Sequence, residues 1–364
     1  MDLKTAFWRG KSVFLTGHTG FKGGWLSLWL QQMGANVTGY ALEPSTQPNL
    51  FSIAKVALGM RSIIGDIRDA AALTRAMRAT NPDIVIHMAA QPLVRASYAD
   101  PVATYSTNVM GTVFLLEAVR QTETVRAVVN VTTDKCYENR EQRAGYRETD
   151  ALGGFDPYSS SKACAELVTA SYRNSYFGTD TSHARAVALA SARAGNVIGG
   201  GDWADGRLVP DILAAFERDQ PVSIRSPQAT RPWQHVLEPL RGYLNLAERL
   251  HDDGAAFAEA WNFGPLDENT RSVAYIVESL AQRWGNGASW HADMTQHPHE
   301  AGQLSLDSTK AASRLGWRPV LQLDDALSLV VDWRVAHRSG SDMRKFTESQ
   351  INAYQRRVVA QKFA

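Results

Sequence analysis

The chain has 364 residues, 44% of them hydrophobic and 21% charged, which is enough apolar material for one large core or two joined ones. Its formal charge is +1 with Lys and Arg spread along the sequence, which argues against nucleic acid or an anionic membrane as the main partner. Two cysteines, Cys136 and Cys164, exclude a disulfide scaffold and fit a reducing compartment. Residues 1–11 contain no apolar run of signal-peptide length, and no stretch approaches the roughly 20 apolar residues that span a bilayer. A cytoplasmic protein is expected.

The first half alternates short apolar runs with amphipathic stretches, the pattern of a parallel sheet wrapped by helices. Strands are predicted at Val13–Thr16, Asn36–Tyr40, Ser62–Ile64, Ile84–His87, Ala127–Val131 and Ala186–Ala190. Helices are predicted at Phe21–Met33, closed by Gly34, at Asp69–Thr80, at Pro101–Arg120 and at Pro157–Tyr172, the last opened by Asp156 as cap and Pro157 in the first turn. After Asn196 the alternation weakens. The expected architecture is an α/β fold: a Rossmann-type doubly wound parallel sheet over residues 1–196, then a smaller mixed α/β lobe over 197–340 with some segments returning to the sheet. A peripheral tail is expected at 341–364.

The first strand runs into Gly17-His18-Thr19-Gly20-Phe21-Lys22-Gly23 and then a helix. Glycines at this spacing permit a tight turn and close backbone approach, so that a dinucleotide pyrophosphate can sit on the helix N-terminus. No Arg or Lys lies between Lys22 and Lys55 to neutralise a 2′-phosphate, which favours NAD over NADP. Glu43 is a loose candidate for the adenosine ribose. Asp66, followed by Ile67 at the third strand end, either accepts a bond from the adenine amino group or caps the next helix.

Tyr158 and Lys162 are four residues apart on a predicted helix and share one face. An ammonium beside a phenol favours phenolate, which converts tyrosine from a poor base at neutral pH into a usable one.

The glycine loop, Ala89-Ala90, Asn108, the Thr132-Thr133 strand end and Tyr158–Lys162, in this order, resemble the extended short-chain dehydrogenase/reductase family. The resemblance covers most of the chain. It implies that Gly17, Gly20, Phe21, Lys22, Gly23, Ala89, Ala90 and Asn108 line NAD, together with Tyr158 and Lys162. His18 and Lys22 depart from the small or apolar residues usual in that loop; Lys22 points either at the diphosphate or into solvent.

Within the family, Thr133-Asp134-Lys135 resembles the strand end of the nucleotide-sugar 4,6-dehydratases, most of which place Asp-Glu there. Asp-Lys, with Ala194–Trp203 and Thr230–His235, is similar to the branch whose substrate nucleotide is CDP. The resemblance implies oxidation at C4 of a hexose, loss of water across C5–C6 and hydride return to C6. In that scheme Tyr158 takes the C4 hydroxyl proton, Thr133 bonds the C4 oxygen and Asp134 is the acid. Lys135 is either the C5 base, which requires a neutral amine, or a cation stabilising the enolate. Asn196, Arg207 and Arg231 match positions that contact the substrate diphosphate, where arginine suits bidentate phosphate binding. Homodimer or homotetramer formation through the long helices is also implied. A sibling 4-epimerase needs no Asp-Lys pair, and a non-catalytic NAD-sensing protein needs neither Tyr158 nor Lys162. His291, His297 and His299 beside Glu300 lack regular ligand spacing, and no metal is expected.

Overall fold

The computed structural model describes residues 5–142, 144–177, 186–265, 267–285, 287–293 and 304–361. Its twelve strands are β1 (Ser12–Thr16), β2 (Asn36–Ala41), β3 (Arg61–Ile64), β4 (Ile84–His87), β5 (Ala127–Val131), β6 (Ala188–Ala194), β7 (Asn196–Ile198), β8 (Val222–Ile224), β9 (Thr230–His235), β10 (Ala260–Phe263), β11 (Thr270–Ser272) and β12 (Trp290–Ala292). Seven of them form the main sheet in the order β10-β6-β5-β4-β1-β2-β3, every pairing parallel. The order reverses at β1, and the carboxyl ends on either side of that reversal form the crevice in which such sheets bind ligands.

The central strands β1, β4 and β5 are buried on both faces, which is why they read as apolar runs, whereas the edge strand β3 is partly exposed. Val13, Leu15, Ile84, Ile86, Val129 and Val131 face a core that includes Trp25 and Trp29 of helix Phe21–Gln32 and Leu240, Tyr243 and Leu244 of helix Leu237–Asp253. Phe14, Val85 and Val128 face the opposite core with Leu115, Leu116 and Val119. A separate core gathers Ile212, Phe216, Trp233, Ile276, Leu280 and Leu327 beneath two small sheets, β11-β9-β7 and β12-β8.

Three features differ from the sequence reading. The strand expected at Ala186–Ala190 lies at Ala188–Ala194; its Ala-Leu-Ala-Ser-Ala-Arg-Ala sequence lacks β-branched residues, and full burial overrides that weak propensity. The helix expected across Pro101–Arg120 is interrupted by a π turn at Ser106–Met110, the wider turn that carries Asn108. The seventh strand, β10, is a segment of the second half of the chain that returns to the sheet.

The tail is not peripheral. Helix Met343–Ala360 buries Ile351 and Tyr354 in the main core, with Tyr354 edge-on to Trp29 at 5.8 Å and its hydroxyl donating to Glu238 Oε2 at 2.6 Å. Its buried stripe includes the polar Thr347 and Gln350, which hides the apolar periodicity in the sequence.

Candidate active site

A cleft of about 1220 Å³ runs along the carboxyl edge of the main sheet and beneath the β7–β9 segment. One wall holds Gly17, Gly20, Phe21, Lys22, Gly23, Asp66, Ile67, Ala89 and Ala90. The floor holds Thr133, Asp134, Lys135, Tyr158 and Lys162, and the far wall Asn196, Arg207 and Arg231. Of the residues singled out in the sequence as candidates to line a site, only Asn108 is absent from its surface.

The glycine loop is shaped by contacts that no side chain fits. Gly17 has φ +80°, and a Cβ there would sit 2.8 Å from the Ala89 nitrogen; a Cβ on Gly23 would sit 2.0 Å from the Gly17 carbonyl oxygen. Thr16 Oγ1 locks the neighbouring loop by accepting from the Met88 and Ala89 N–H groups at 3.0 and 3.1 Å. Helix Phe21–Gln32 then opens with Gly20 as its cap, with no side chain on its first N–H groups, and Gly20 to Gly23 all line the cleft. An uncapped helix start bordered by backbone is a cradle for a diphosphate, so these residues fit a dinucleotide. Gly23→Ala forces the turn apart; overpacking of this kind costs about 1–3 kcal/mol. NAD affinity by calorimetry is expected to fall about 5-fold to 10²-fold, since 1.4 kcal/mol is one decade.

His18 and Lys22, the two departures in this loop, are both inward. Burial lowers the His18 pKa to about 4, its Nε2 meets Ser62 Oγ at 2.7 Å, and its ring takes the space a side chain on Gly39 would fill. Lys22 points neither into solvent nor simply along the loop. Its Nζ donates to Tyr243 Oη at 3.1 Å, and burial, with Lys162 and Arg207 adding repulsion against the pull of Asp134, brings its pKa down to about 7.

Asp66 is not the helix cap; Asp69 is, accepting from Ala72 N–H at 2.9 Å. Asp66 instead takes the Arg68 guanidinium, Nη2 to Oδ2 at 2.6 Å, and those hydrogen bonds hold its carboxyl below the usual range. Asn108 is held by the neighbouring backbone and by helix Pro157–Tyr176. Its Oδ1 accepts from Gln91 N–H at 2.8 Å, and its Nδ2 donates to Gln91 O at 3.1 Å and Ser161 Oγ at 2.9 Å. It pins the loop after Ala89-Ala90 to helix Pro157–Tyr176.

β5 delivers the chemistry. Beyond its end, Thr133 caps a 3-10 turn over Asp134–Cys136; Thr133 Oγ1 donates to Asp134 Oδ1 at 3.0 Å and accepts from Lys135 N–H at 3.3 Å. Asp134 is buried with Oδ2 lacking a protein partner, while Lys135 is half-buried. Asp156 caps helix Pro157–Tyr176 through Ser159 N–H at 2.9 Å, which sets Tyr158 and Lys162 one turn apart facing β5.

Lys162 Nζ donates to Val131 O at 3.2 Å. Burial takes the Tyr158 phenol up to about 12, Asp134 adds to that, and a hydrogen bond with Thr133 and the Arg207 charge act against it. In this geometry the Lys162 amine bonds the strand-end carbonyl, and the Thr133 hydrogen bond and the Arg207 charge favour phenolate.

On the far wall, Asn196 begins β7 with Oδ1 buried and unpartnered, Arg207 pairs with Asp202 at 2.9 Å and Arg231 donates to Thr230 O at 2.8 Å. Residues 297, 299 and 300 lie outside the described residues, and His291 is exposed on β12. Among the described residues no helix is long and apolar enough to cross a membrane.

A family model described as GDP-mannose 4,6 dehydratase matches residues 14–330. The chain belongs to that family. Within reach of it, the CDP-glucose 4,6-dehydratase of Salmonella typhimurium is 56% identical over 348 residues, 96% of this chain and 97% of that protein. The crystal structure of the dTDP-glucose 4,6-dehydratase of Streptomyces venezuelae with NAD bound is 25% identical, with a TM-score of 0.76 over 90% of this chain and 98% of that one. The epimerase Mth375 of Methanothermobacter thermautotrophicus, 22% identical with a TM-score of 0.80 over 94% and 96% of the two chains, shares the family fold.

Proposed function

We propose that the chain carries out the NAD-dependent 4,6-dehydration of a nucleotide-activated hexose, converting CDP-glucose to CDP-4-keto-6-deoxyglucose. One observation carries the reading: a single cleft joins the dinucleotide cradle at Gly17–Gly23 to Tyr158, Thr133, Asp134 and Lys135 and then to the arginine-bearing wall. The 56% identity to a CDP-glucose 4,6-dehydratase supports cytidine as the base.

When bound, NAD supplies the hydride acceptor for C4 and the hydride donor for C6, with no net redox change. The chain's own residues handle the protons. Tyr158 takes the C4 hydroxyl proton, with Thr133 holding the oxygen. The resulting ketone acidifies C5–H; either neutral Lys135 removes that proton while Asp134 protonates the departing C6 hydroxyl, or the Lys135 ammonium stabilises the enolate while Asp134 carries the proton from C5 to the C6 hydroxyl. Arg207 and Arg231 hold the diphosphate, and Asn196 helps orient it.

Incubation with CDP-, dTDP-, UDP- and GDP-linked glucose is expected to give a product lighter by one water, fastest with CDP-glucose. Deuterium placed at C4 should reappear at C6. Label retained at C4 without water loss would instead mean an epimerase, and label lost to solvent would rule out internal return.

We further infer that the enzyme works in the cytoplasm as a homodimer or homotetramer. Val102 and Leu167 are 77% and 59% exposed on helices Pro101–Tyr105 and Pro157–Tyr176, which pack side by side, and burying them against a second copy removes that apolar surface from water. Light scattering is expected to give at least twice the 40.0 kDa chain mass, and Val102→Lys with Leu167→Lys to give monomer.

A further inference from the structure

Behind the cleft floor lies an ion pair that no step above uses. Glu166 and Arg193 are 2% exposed each, with Arg193 Nη2 to Glu166 Oε2 at 2.7 Å. Glu166 stands four residues beyond Lys162 and eight beyond Tyr158, one further turn along the same helical face. Burial pushes its carboxyl up, but Arg193, Ser191 and Thr132 outweigh that and hold it below the ordinary value.

What the pair touches defines what it holds. Glu166 accepts from the Thr132 hydroxyl and, on its other oxygen, from Ser191 Oγ at 2.6 Å. Arg193 Nη1 donates to Tyr137 Oη at 2.7 Å, and Tyr137 in turn donates to Asn262 Oδ1 on β10 at 2.8 Å. Thr132 immediately precedes Thr133, and Tyr137 immediately follows the Asp134–Cys136 turn. The pair therefore grips the turn bearing Asp134 and Lys135 at both ends and fastens it to helix Pro157–Tyr176, which bears Tyr158 and Lys162.

We propose that Glu166 and Arg193 are positioning residues for the water-loss step, clamping the Thr133–Cys136 turn so that its acid and amine side chains keep register with Tyr158. This rests on the dehydratase reading. Tyr158 has its own anchor in the Asp156 cap, and Lys162 bonds Val131 O inside β5, so C4 oxidation depends less on the clamp than elimination does.

The test uses the full-length NAD-loaded enzyme, quenched during turnover with borodeuteride, which traps any hexose oxidised at C4 but not yet dehydrated. Wild type must first release dehydrated CDP-sugar; failure there overturns the dehydratase reading itself. Glu166→Gln is expected to lower turnover about 10²-fold, the cost of misplacing a reacting group by about 1 Å. It should also raise the trapped undehydrated 4-keto fraction above wild type.

A lone Glu166 substitution leaves a buried arginine unpaired, so the double variant Glu166→Leu with Arg193→Met separates positioning from folding. Its melting temperature is expected to recover towards wild type while turnover stays low and the 4-keto fraction stays high. A double variant that regains turnover along with stability, or a Glu166→Gln enzyme whose trapped fraction matches wild type, overturns the proposal.

Discussion

Tyr158→Phe is expected to remove turnover by a factor of about 10²–10⁴, the range that a positioned proton-transfer group contributes, and to leave no trapped 4-keto sugar. The Tyr158 phenol lines the cleft beside Thr133. Its loss strands the C4 proton before any oxidation. The substitution removes one oxygen from a ring that is 8% exposed, so the fold keeps its packing and melting should change little. Burial works against Tyr158 as a base, since its pKa stands near 12. The proton-bound form dominates at neutral pH, and turnover should rise with pH through the neutral range as the phenolate fraction grows. Thr133→Val, which deletes the bonding hydroxyl while keeping the shape, should shift that rise to higher pH. A Tyr158→Phe enzyme that still accumulates 4-keto sugar would show that the C4 proton leaves by another route.

Much of this site was legible because its parts lie close together in sequence and obey local rules. The strand–glycine–helix start at Gly17, the Asp156-Pro157 helix opening and the Tyr158–Lys162 spacing each depend on a few neighbouring residues. The parallel sheet showed itself through burial on both faces. What stayed hidden depends on distant partners. Tyr243, which receives the Lys22 ammonium, lies 221 residues from it and carries no local pattern. Arg68 was two residues from Asp66 and was the nearest available signal that the carboxylate would be paired. Glu166 continued the Tyr158–Lys162 face by one turn, but its partner Arg193 sits in an Ala-rich strand whose limits weak propensity blurred. Asn108 sits in a π turn that brings its amide onto the Gln91 backbone, a contact no local pattern announces.

Lys135→Ala is expected to separate the two halves of the reaction more cleanly than any other single change. Asp134 and Lys135 share a turn but not an environment: Asp134 is 1% exposed, whereas Lys135 is only half-buried and lines the cleft. Removing the amine leaves Tyr158, Thr133 and the dinucleotide cradle in place, so oxidation at C4 proceeds. The C5 proton then lacks its acceptor, or the enolate its cation. Turnover should drop about 10²–10⁴-fold, with most of the quenched sugar trapped as the undehydrated ketone. A primary isotope effect from C4 deuterium should shrink towards unity as elimination becomes rate-limiting. Lys135→Gln distinguishes the two roles of the amine. An amide cannot take the C5 proton but can donate a hydrogen bond to the enolate oxygen, so a base role predicts the same loss as alanine, and an electrostatic role predicts partial recovery. Equal slowing of oxidation and elimination in both variants would mean that Lys135 serves neither end and only shapes the turn.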